Sequence, residues 1–264
     1  MVTCRFLGRL GNSMFQIAAT IQYVRDYGYD WAVMNSDAGR SWESGILNCF
    51  PNLPRFDPPH RFPYYNEHPN TNCPIHGVHY DVCHYDYHKI PNIGDRICLL
   101  GFFQSLKYFE GVQDEVKQVF KLGHVPGYEN HVSLHVRRGD YVTYSGSFPP
   151  ITMDYIEKAV AHFDNPKLLV FSDDIAWCRQ NITYPGVEFS EGRGELQDMA
   201  LMASCGHHIT ANSSYSWWGA YLGHNPDKKI VCPSQSGFNW YGPSGGVKNP
   251  KTLIPDGWIQ IQFR

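Results

Sequence analysis

Residues 132–141 read VSLHVRRGDY, and this stretch decides the fold. Val132 to Val136 is a β-prone run that ends abruptly in two arginines, a glycine and an aspartate. The same form returns downstream. Leu168 to Phe171 is an apolar run ending in SDD, His208 to Thr210 runs into ANSS, and Lys229 to Cys232 forms a further candidate strand. Segments with helical spacing stand between them, at Thr152 to Phe163, Glu195 to Cys205 and Tyr215 to Leu222. Repeated β–α units predict an α/β fold with a parallel sheet covered on both faces. Ligands of such sheets sit beyond the carboxyl ends of the strands, where RRGD, SDD and NSS all fall.

Working back toward the start, Val2 to Leu7 reads as a strand, GRLGNS (Gly8 to Ser13) as a glycine turn, and Met14 to Tyr27 as a helix. Trp31 to Met34 is the next candidate strand. From Asn35 to about Pro91 periodicity dissolves into proline, histidine, tyrosine and asparagine, the signature of irregular, functional loop structure. A strand at Ile97 to Phe103 and a helix over Phe109 to Phe120 follow. The GHVPGYE segment, Gly123 to Glu129, is the best linker, which predicts an N-terminal lobe at 1–125 and a C-terminal lobe at 126–264.

Composition narrows the function classes. A net charge of -3 over 264 residues argues against a nucleic-acid grip, which needs a strongly basic surface. Any anion must therefore meet a local site. No run of 18 apolar residues occurs, so no membrane span is expected, and the start lacks the basic flank and apolar core of a signal peptide. The eight cysteines are scattered, and Cys98, Cys205 and Cys232 sit in or beside apolar runs. They read as buried reduced thiols in a cytoplasmic protein.

The polar clusters each admit two readings. Arg137 and Arg138 place guanidinium forks where a pyrophosphate could lie, provided the chain turns at Gly139 so that both face one ligand. A salt-bridge cluster with Asp140 explains the same residues. An adhesion role for the embedded RGD is disfavoured without a secretory signal. Ser172, Asp173 and Asp174 could accept hydrogen bonds from a base or ribose, or cap a helix. Asn212, Ser213 and Ser214, with Ser216 behind them, stand where a helix begins, which suits an anion or an ordinary N-cap. Trp217 and Trp218 read as helix-to-sheet packing ahead of sugar platforms.

Two further patterns carry less. GRLGNS lacks the third glycine of a dinucleotide fingerprint and reads better as a tight turn exposing Asn12. His76, His79, Cys83, His84 and His88 invite a metal, but a polar aromatic loop at an acceptor cleft explains them as well. The chain has no Asp-x-Asp pair, the spacing many sugar-nucleotide enzymes use to chelate a divalent cation. That absence fits arginines neutralising a departing diphosphate.

Together, GRLGNSMFQIA, GFFQSLKYF (Gly101 to Phe109), HVRRGDYV, VFSDDIAWC, LQDMALMASCGHHITANSSYSWWGAYL and WIQI (Trp258 to Ile261) resemble one family nearly end to end. This is the inverting α-1,2-fucosyltransferase group, the galactoside 2-L-fucosyltransferases. The resemblance implies two Rossmann-like lobes of GT-B-like type, the donor site lying at the strand ends of the C-terminal lobe. It implies GDP-L-fucose as donor, a galactose-like glycan as acceptor, no metal or other cofactor, and inversion at the fucose C1. By the same resemblance Arg137 and Arg138 hold the diphosphate, His135 and Asp173 contact the nucleoside, and Ser213 and Ser214 cap the phosphates. Asn12 then faces the reacting centre from the other lobe.

The sequence departs from the family pattern in places. Arg9 stands where a second glycine is usual, and Ser13 where glutamine is. Thr143, Tyr144 and Ser145 fill a stretch where some related enzymes carry a carboxylate base, leaving Asp140 as the nearest carboxylate and the base unassigned. Asn181-Ile182-Thr183 and Asn212-Ser213-Ser214 match the glycan-acceptor pattern, and a glycan on Asn212 would obstruct the expected phosphate site. Two rival readings accompany the leading one: a transferase of the same fold using another GDP-sugar, and a non-catalytic nucleotide or glycan binder.

Overall fold

The computed structural model describes residues 1–35, 45–57, 62–67, 87–145, 148–234 and 252–263. The chain forms two compact units: unit 1 is Met1–Lys121 with the described residues 252–254, and unit 2 runs from Leu122, with its last described residues at 255–263.

Unit 1 begins with β1 (Thr3–Cys4), followed by α1 (Leu10–Tyr27), β2 (Val33–Met34), α2 (Gly45–Cys49) and β3 (Arg55–Phe56). Then come β4 (Tyr64–Asn66), β5 (Cys98–Leu100) and α3 (Gln113–Val119). β5 pairs in parallel with β1 on one side and β4 on the other, Cys98 standing opposite both Thr3 and Tyr64. β2 and β3 pair separately, also in parallel. The turn expected over Gly8 to Ser13 is shorter than the sequence suggests. Leu10 to Ser13 already belong to α1, and Gly8, at φ +78°, and Arg9 make the reversal. The strands at Val2 to Leu7 and Ile97 to Phe103 shrink to Thr3–Cys4 and Cys98–Leu100. The helix expected over Phe109 to Phe120 breaks into a 3₁₀ turn at Glu110–Val112 followed by α3, after a further 3₁₀ turn at Leu106–Tyr108.

Unit 2 opens with β6 (His131–Val136), α4 (Gly139–Thr143), α5 (Met153–Val160), β7 (Lys167–Ser172), α6 (Ile175–Asn181) and β8 (Glu188–Phe189). It continues through α7 (Glu195–Ser204), β9 (His207–Ile209), α8 (Ser214–Tyr221), β10 (Ile230–Pro233) and β11 (Ile259–Ile261). The six strands lie in the order β11-β10-β9-β6-β7-β8, and every pairing is parallel. Alternation sorts the side chains between two helical layers. Leu168 and Val170 join Val132, Leu134 and Val136 against Tyr155, Ile156 and Ala159 of α5. Leu169 and Phe171 turn the other way, onto Leu201 and Met202 of α7. A sheet buried on both faces explains why β7 and β10 read as nearly unbroken apolar runs. The α/β class and the parallel sheet expected from the sequence are both present.

The strand order has a consequence for binding. From β6 the chain moves outward through β7 and β8, then returns to place β9 on the other side of β6. The direction of winding thus reverses between β6 and β9. Parallel α/β sheets open a crevice at such a switch point, beyond the strand ends.

Candidate functional site

Three motif-bearing strands are neighbours, in the order β9, β6, β7, so RRGD, SDD and ANSS converge at one end of the unit 2 sheet. β6 positions the first of them. Its odd-numbered residues His131, Ser133 and His135 share one face. His135 is 5% exposed, its Nδ1 has no hydrogen-bond partner, and its ring is tilted 5.5 Å from Tyr215. Burial, reinforced by the Arg137 charge, pushes its pKa down to about 3, so it is a neutral imidazole at working pH.

Beyond Val136 the chain turns. Gly139 starts α4, and a Cβ there would lie 2.5 Å from an Asp173 carboxylate oxygen. Glycine is required for that close approach. The turn lets adjacent arginines serve one region. Arg137 donates from Nε and Nη2 to Asp140 Oδ1 at 3.0 and 2.6 Å, and its Nη1 meets Asp173 Oδ2 at 2.9 Å. Arg138 donates its backbone N–H to Asp173 Oδ1 at 2.8 Å and its Nε to Asp174 Oδ2 at 3.1 Å, while its guanidinium lies 3.9 Å over the Trp177 ring.

The salt-bridge reading of the arginine pair is therefore present in the structure. Asp140, Asp173 and Asp174 bring three carboxylates to two guanidiniums. Donor capacity remains, since a guanidinium has five N–H groups, of which Arg137 commits three and Arg138 one. Both side chains keep some exposure, 15% for Arg137 and 17% for Arg138.

The SDD and NSS segments also show their structural roles. Asp174 caps α6, accepting from Trp177 N at 3.1 Å, and its own N–H donates to Ser172 Oγ at 3.0 Å. The Trp177 amide, then Arg138, hold the Asp174 carboxyl below the usual range. Ser213 occupies the N-cap position of α8 without a side-chain capping bond, so the expected serine cap is absent there. Ser216 closes that turn, accepting from Ala211 N at 3.2 Å with no exposed surface of its own. Asn212, equally buried, donates to Pro149 O at 2.9 Å, and its carbonyl accepts from the Tyr141 hydroxyl at 3.1 Å. Asn212 and Ser216 hold the loop in place, and Ser214 is the half-buried serine at the helix start. Trp217 and Trp218 are buried packing residues, as expected.

Asn12 lies in unit 1, in the first turn of α1. Its Oδ1 accepts from Gln104 Nε2 at 2.7 Å. Of the histidine-rich group, His76, His79, Cys83 and His84 lie outside the described residues. His88 is described, its Nε2 standing 3.2 Å from the Tyr65 hydroxyl. Among the described residues no three His, Cys, Asp or Glu side chains are grouped as ligands for a metal ion.

Sequence reasoning missed several site residues. Trp177 stacks on Arg138, Tyr215 faces His135, and Tyr141 ties α4 to the ANSS loop. An aspartate at Asp174, three positions before Trp177 on a helical run, was a legible capping signal. In unit 1 Gln16, Glu67 and Gln104 are buried polar residues. Glu67 accepts from the Phe102 and Phe103 amides at 2.8 and 3.0 Å, and burial pushes its carboxyl up to about 7.

Comparison with known proteins agrees with the motifs. Residues 72–241 match the profile of glycosyl transferase family 11. An O-antigen biosynthesis glycosyltransferase, WbnK, of Escherichia coli is 31% identical over 193 residues, covering 62% of this chain and 60% of that protein. An alpha-1,2-colitosyltransferase of Escherichia coli is 35% identical over 185 residues, 62% of each chain. Galactoside 2-alpha-L-fucosyltransferase Sec1 of Mus musculus is 28% identical over 255 residues, 84% of this chain and 64% of that one. The chain thus spans less than two thirds of the length of each of these relatives. With its profile matched over more than half its length, this chain belongs to glycosyl transferase family 11.

Proposed function

We propose that the protein transfers L-fucose from GDP-L-fucose to the 2-hydroxyl of a galactose-like acceptor, with inversion and without a metal ion. The observation that carries this is the adjacent pair Arg137 and Arg138 at the β6 end, beside the switch point, in a chain of family 11. In this reading the chain is a GT-B-type enzyme whose donor lobe is unit 2. The acceptor oxygen attacks the sugar C1 from the face opposite the diphosphate. The C1–O bond to the β-phosphate breaks, its electron pair leaves on GDP, and the proton of the acceptor hydroxyl passes to water. Arg137 and Arg138 neutralise that charge with their remaining N–H groups, replacing what a divalent cation would supply. Asp140, Asp173 and Asp174 keep the guanidiniums extended before the donor arrives. Neutral His135 and Asp173 face the nucleoside, Ser172 and Asp174 shape that side, and Ser213 and Ser214 at the start of α8 face the phosphates. Asn12 belongs to the catalytic set on the acceptor side. The buried thiols Cys178, Cys205 and Cys232 fit a cytoplasmic enzyme.

A second donor is supported by one observation: an alpha-1,2-colitosyltransferase is 35% identical to this chain. The transferred sugar is then colitose, with the same linkage and the same arginine clamp. Incubating the purified protein with GDP-L-fucose or GDP-colitose and a simple β-galactoside, with and without EDTA, separates the two. Product formation from GDP-L-fucose that survives EDTA is expected, with an α-anomeric proton in the product. Exclusive use of GDP-colitose moves the assignment to the second reading. Activity abolished by EDTA and restored by a divalent cation overturns the metal-free claim, and no product from any GDP-sugar overturns the reading as a whole.

A further inference from the structure

The carboxyl ends of the unit 1 strands carry a polar assembly of a different kind. α1 places Asn12 and Gln16 one turn apart on a single face. Gln16 has no exposed surface and grips the loop after β1 from both sides. Leu7 N donates to its Oε1 at 3.1 Å, and its Nε2 donates to Leu7 O at 3.2 Å and to Gly101 O, just past β5, at 3.0 Å. Gln104 lies three residues beyond Gly101 and is 4% exposed. It donates from Nε2 to Asn12 Oδ1, while its own Oε1 is buried without a partner.

This bond sets a direction. The two ends of a carboxamide have nearly the same shape, so its partners decide which end is which. If both amides were turned over, Gln104 would bury its NH₂, with two donors, where the structure leaves one carbonyl oxygen alone. The flipped pair therefore costs more. On the other side of Asn12 stands Gly8, where a Cβ would strike the Asn12 amide nitrogen. The Asn12 oxygen consequently points at Gln104, and its NH₂ lies at the half-buried turn that follows β1.

We propose that Gln104 is a positioning residue for the transfer reaction, fixing Asn12 so that it offers a hydrogen-bond donor and not an acceptor at the end of β1. The proposal rests on the reading that places Asn12 in the catalytic set. Gln104→Glu tests it with almost no change of shape. An ionised glutamate has no hydrogen to donate, so the Asn12 amide turns over and offers its oxygen. A protonated glutamate restores the donor, and in this buried position it takes up its proton above the ordinary carboxylate range.

The expected result for Gln104→Glu at about pH 8 is a kcat lower by about tenfold or more, with donor KM and melting temperature close to wild type. Its kcat relative to wild type should recover as the pH falls toward about 5.5. Gln104→Met should show the loss without the recovery, and neither change should lower kcat further once Asn12 is alanine. Wild-type kcat in Gln104→Met, a Gln104→Glu ratio flat with pH, or effects that multiply with Asn12→Ala would each overturn the proposal. If the wild type uses no GDP-sugar, the functional reading falls separately. The orientation is then read from the Asn12 side-chain amide signal in NMR. A signal that titrates in Gln104→Glu but not in wild type supports the assignment, and one indifferent to position 104 overturns it.

Discussion

The strand ends of the two units solve different problems with different chemistry. In unit 2, Arg137, Arg138, Asp140, Asp173 and Asp174 crowd full charges into one end of a six-stranded sheet. In unit 1, Asn12, Gln16 and Gln104 are neutral carboxamides bonded to one another or to backbone, and Glu67 is a carboxyl that burial pushes toward neutrality. Charges paired at a partly open edge keep part of their hydration, and in the proposed reading they hold a site ready for a diphosphate. Carboxamides make directional bonds without the large desolvation cost of buried ions, which in the proposed reading suits the acceptor side. The contrast teaches that a parallel sheet fixes where a site lies but leaves its electrostatic character to a few residues just past the strands.

The strongest way to break the contrast is to remove a charge from unit 2. Arg137→Ala is expected to lower kcat by about a thousandfold or more, as loss of a transition-state donor does. Arg137→Lys should recover only part of it, because the ammonium cannot make the fork. Steady-state kinetics beside a thermal melt checks this. An active Arg137→Ala protein would mean that the arginine pair is only a salt-bridge cluster.

Acid sharpens the comparison, because buried titratable groups in the two units respond with opposite sign. Glu67 is raised from 4.5 to about 7, so the native state holds its proton more tightly than the unfolded chain. Its contribution to stability is present below pH 4.5 and lost as pH rises through about 7, about 3 kcal/mol in all. His135 and His208 are lowered from 6.5 to about 3, mainly by burial, so the unfolded chain binds protons the native state refuses. Their stability is present above pH 6.5 and falls as the pH drops toward 3. Hydrogen exchange followed from pH 7 to about pH 5 should therefore show protection rising in unit 1 relative to unit 2. Glu67→Gln should remove the unit 1 part of that change.

The smallest effect is a control. Thr152 caps α5, accepting from Tyr155 N at 3.2 Å. Thr152→Ala should cost about 1 kcal/mol of stability, measured by denaturant unfolding, and leave transfer unchanged. It would show that a loss of this size in unit 2 does not by itself produce the Arg137→Ala phenotype.

Unit 2 was far more legible in the sequence than unit 1. β6 and β7 have six residues each and are buried on both faces, so their runs and the motifs ending them stood out. β8 and β11 have two and three residues, too few for a period to show. Leu10 to Ser13 read as a turn because glycine, asparagine and serine are poor helix formers. Tertiary bonds from Gln16 to Leu7 and Gly101 override that preference. The arginine pair was visible as residues, but its carboxylate partners Asp173 and Asp174 depend on β7 lying beside β6. Gln104 sits in a motif the sequence displayed plainly, yet its role requires knowing that it meets Asn12, 92 positions away.

The stack of Arg138 on Trp177 has an optical consequence. An indole 3.9 Å beneath a guanidinium emits according to the field that cation imposes, and any ligand that draws Arg138 aside must change that emission. Trp217 and Trp218, fully packed, supply a steady background. If the arginine pair holds the donor as proposed, Trp177 is a built-in fluorescent gauge of its occupancy, readable without a label.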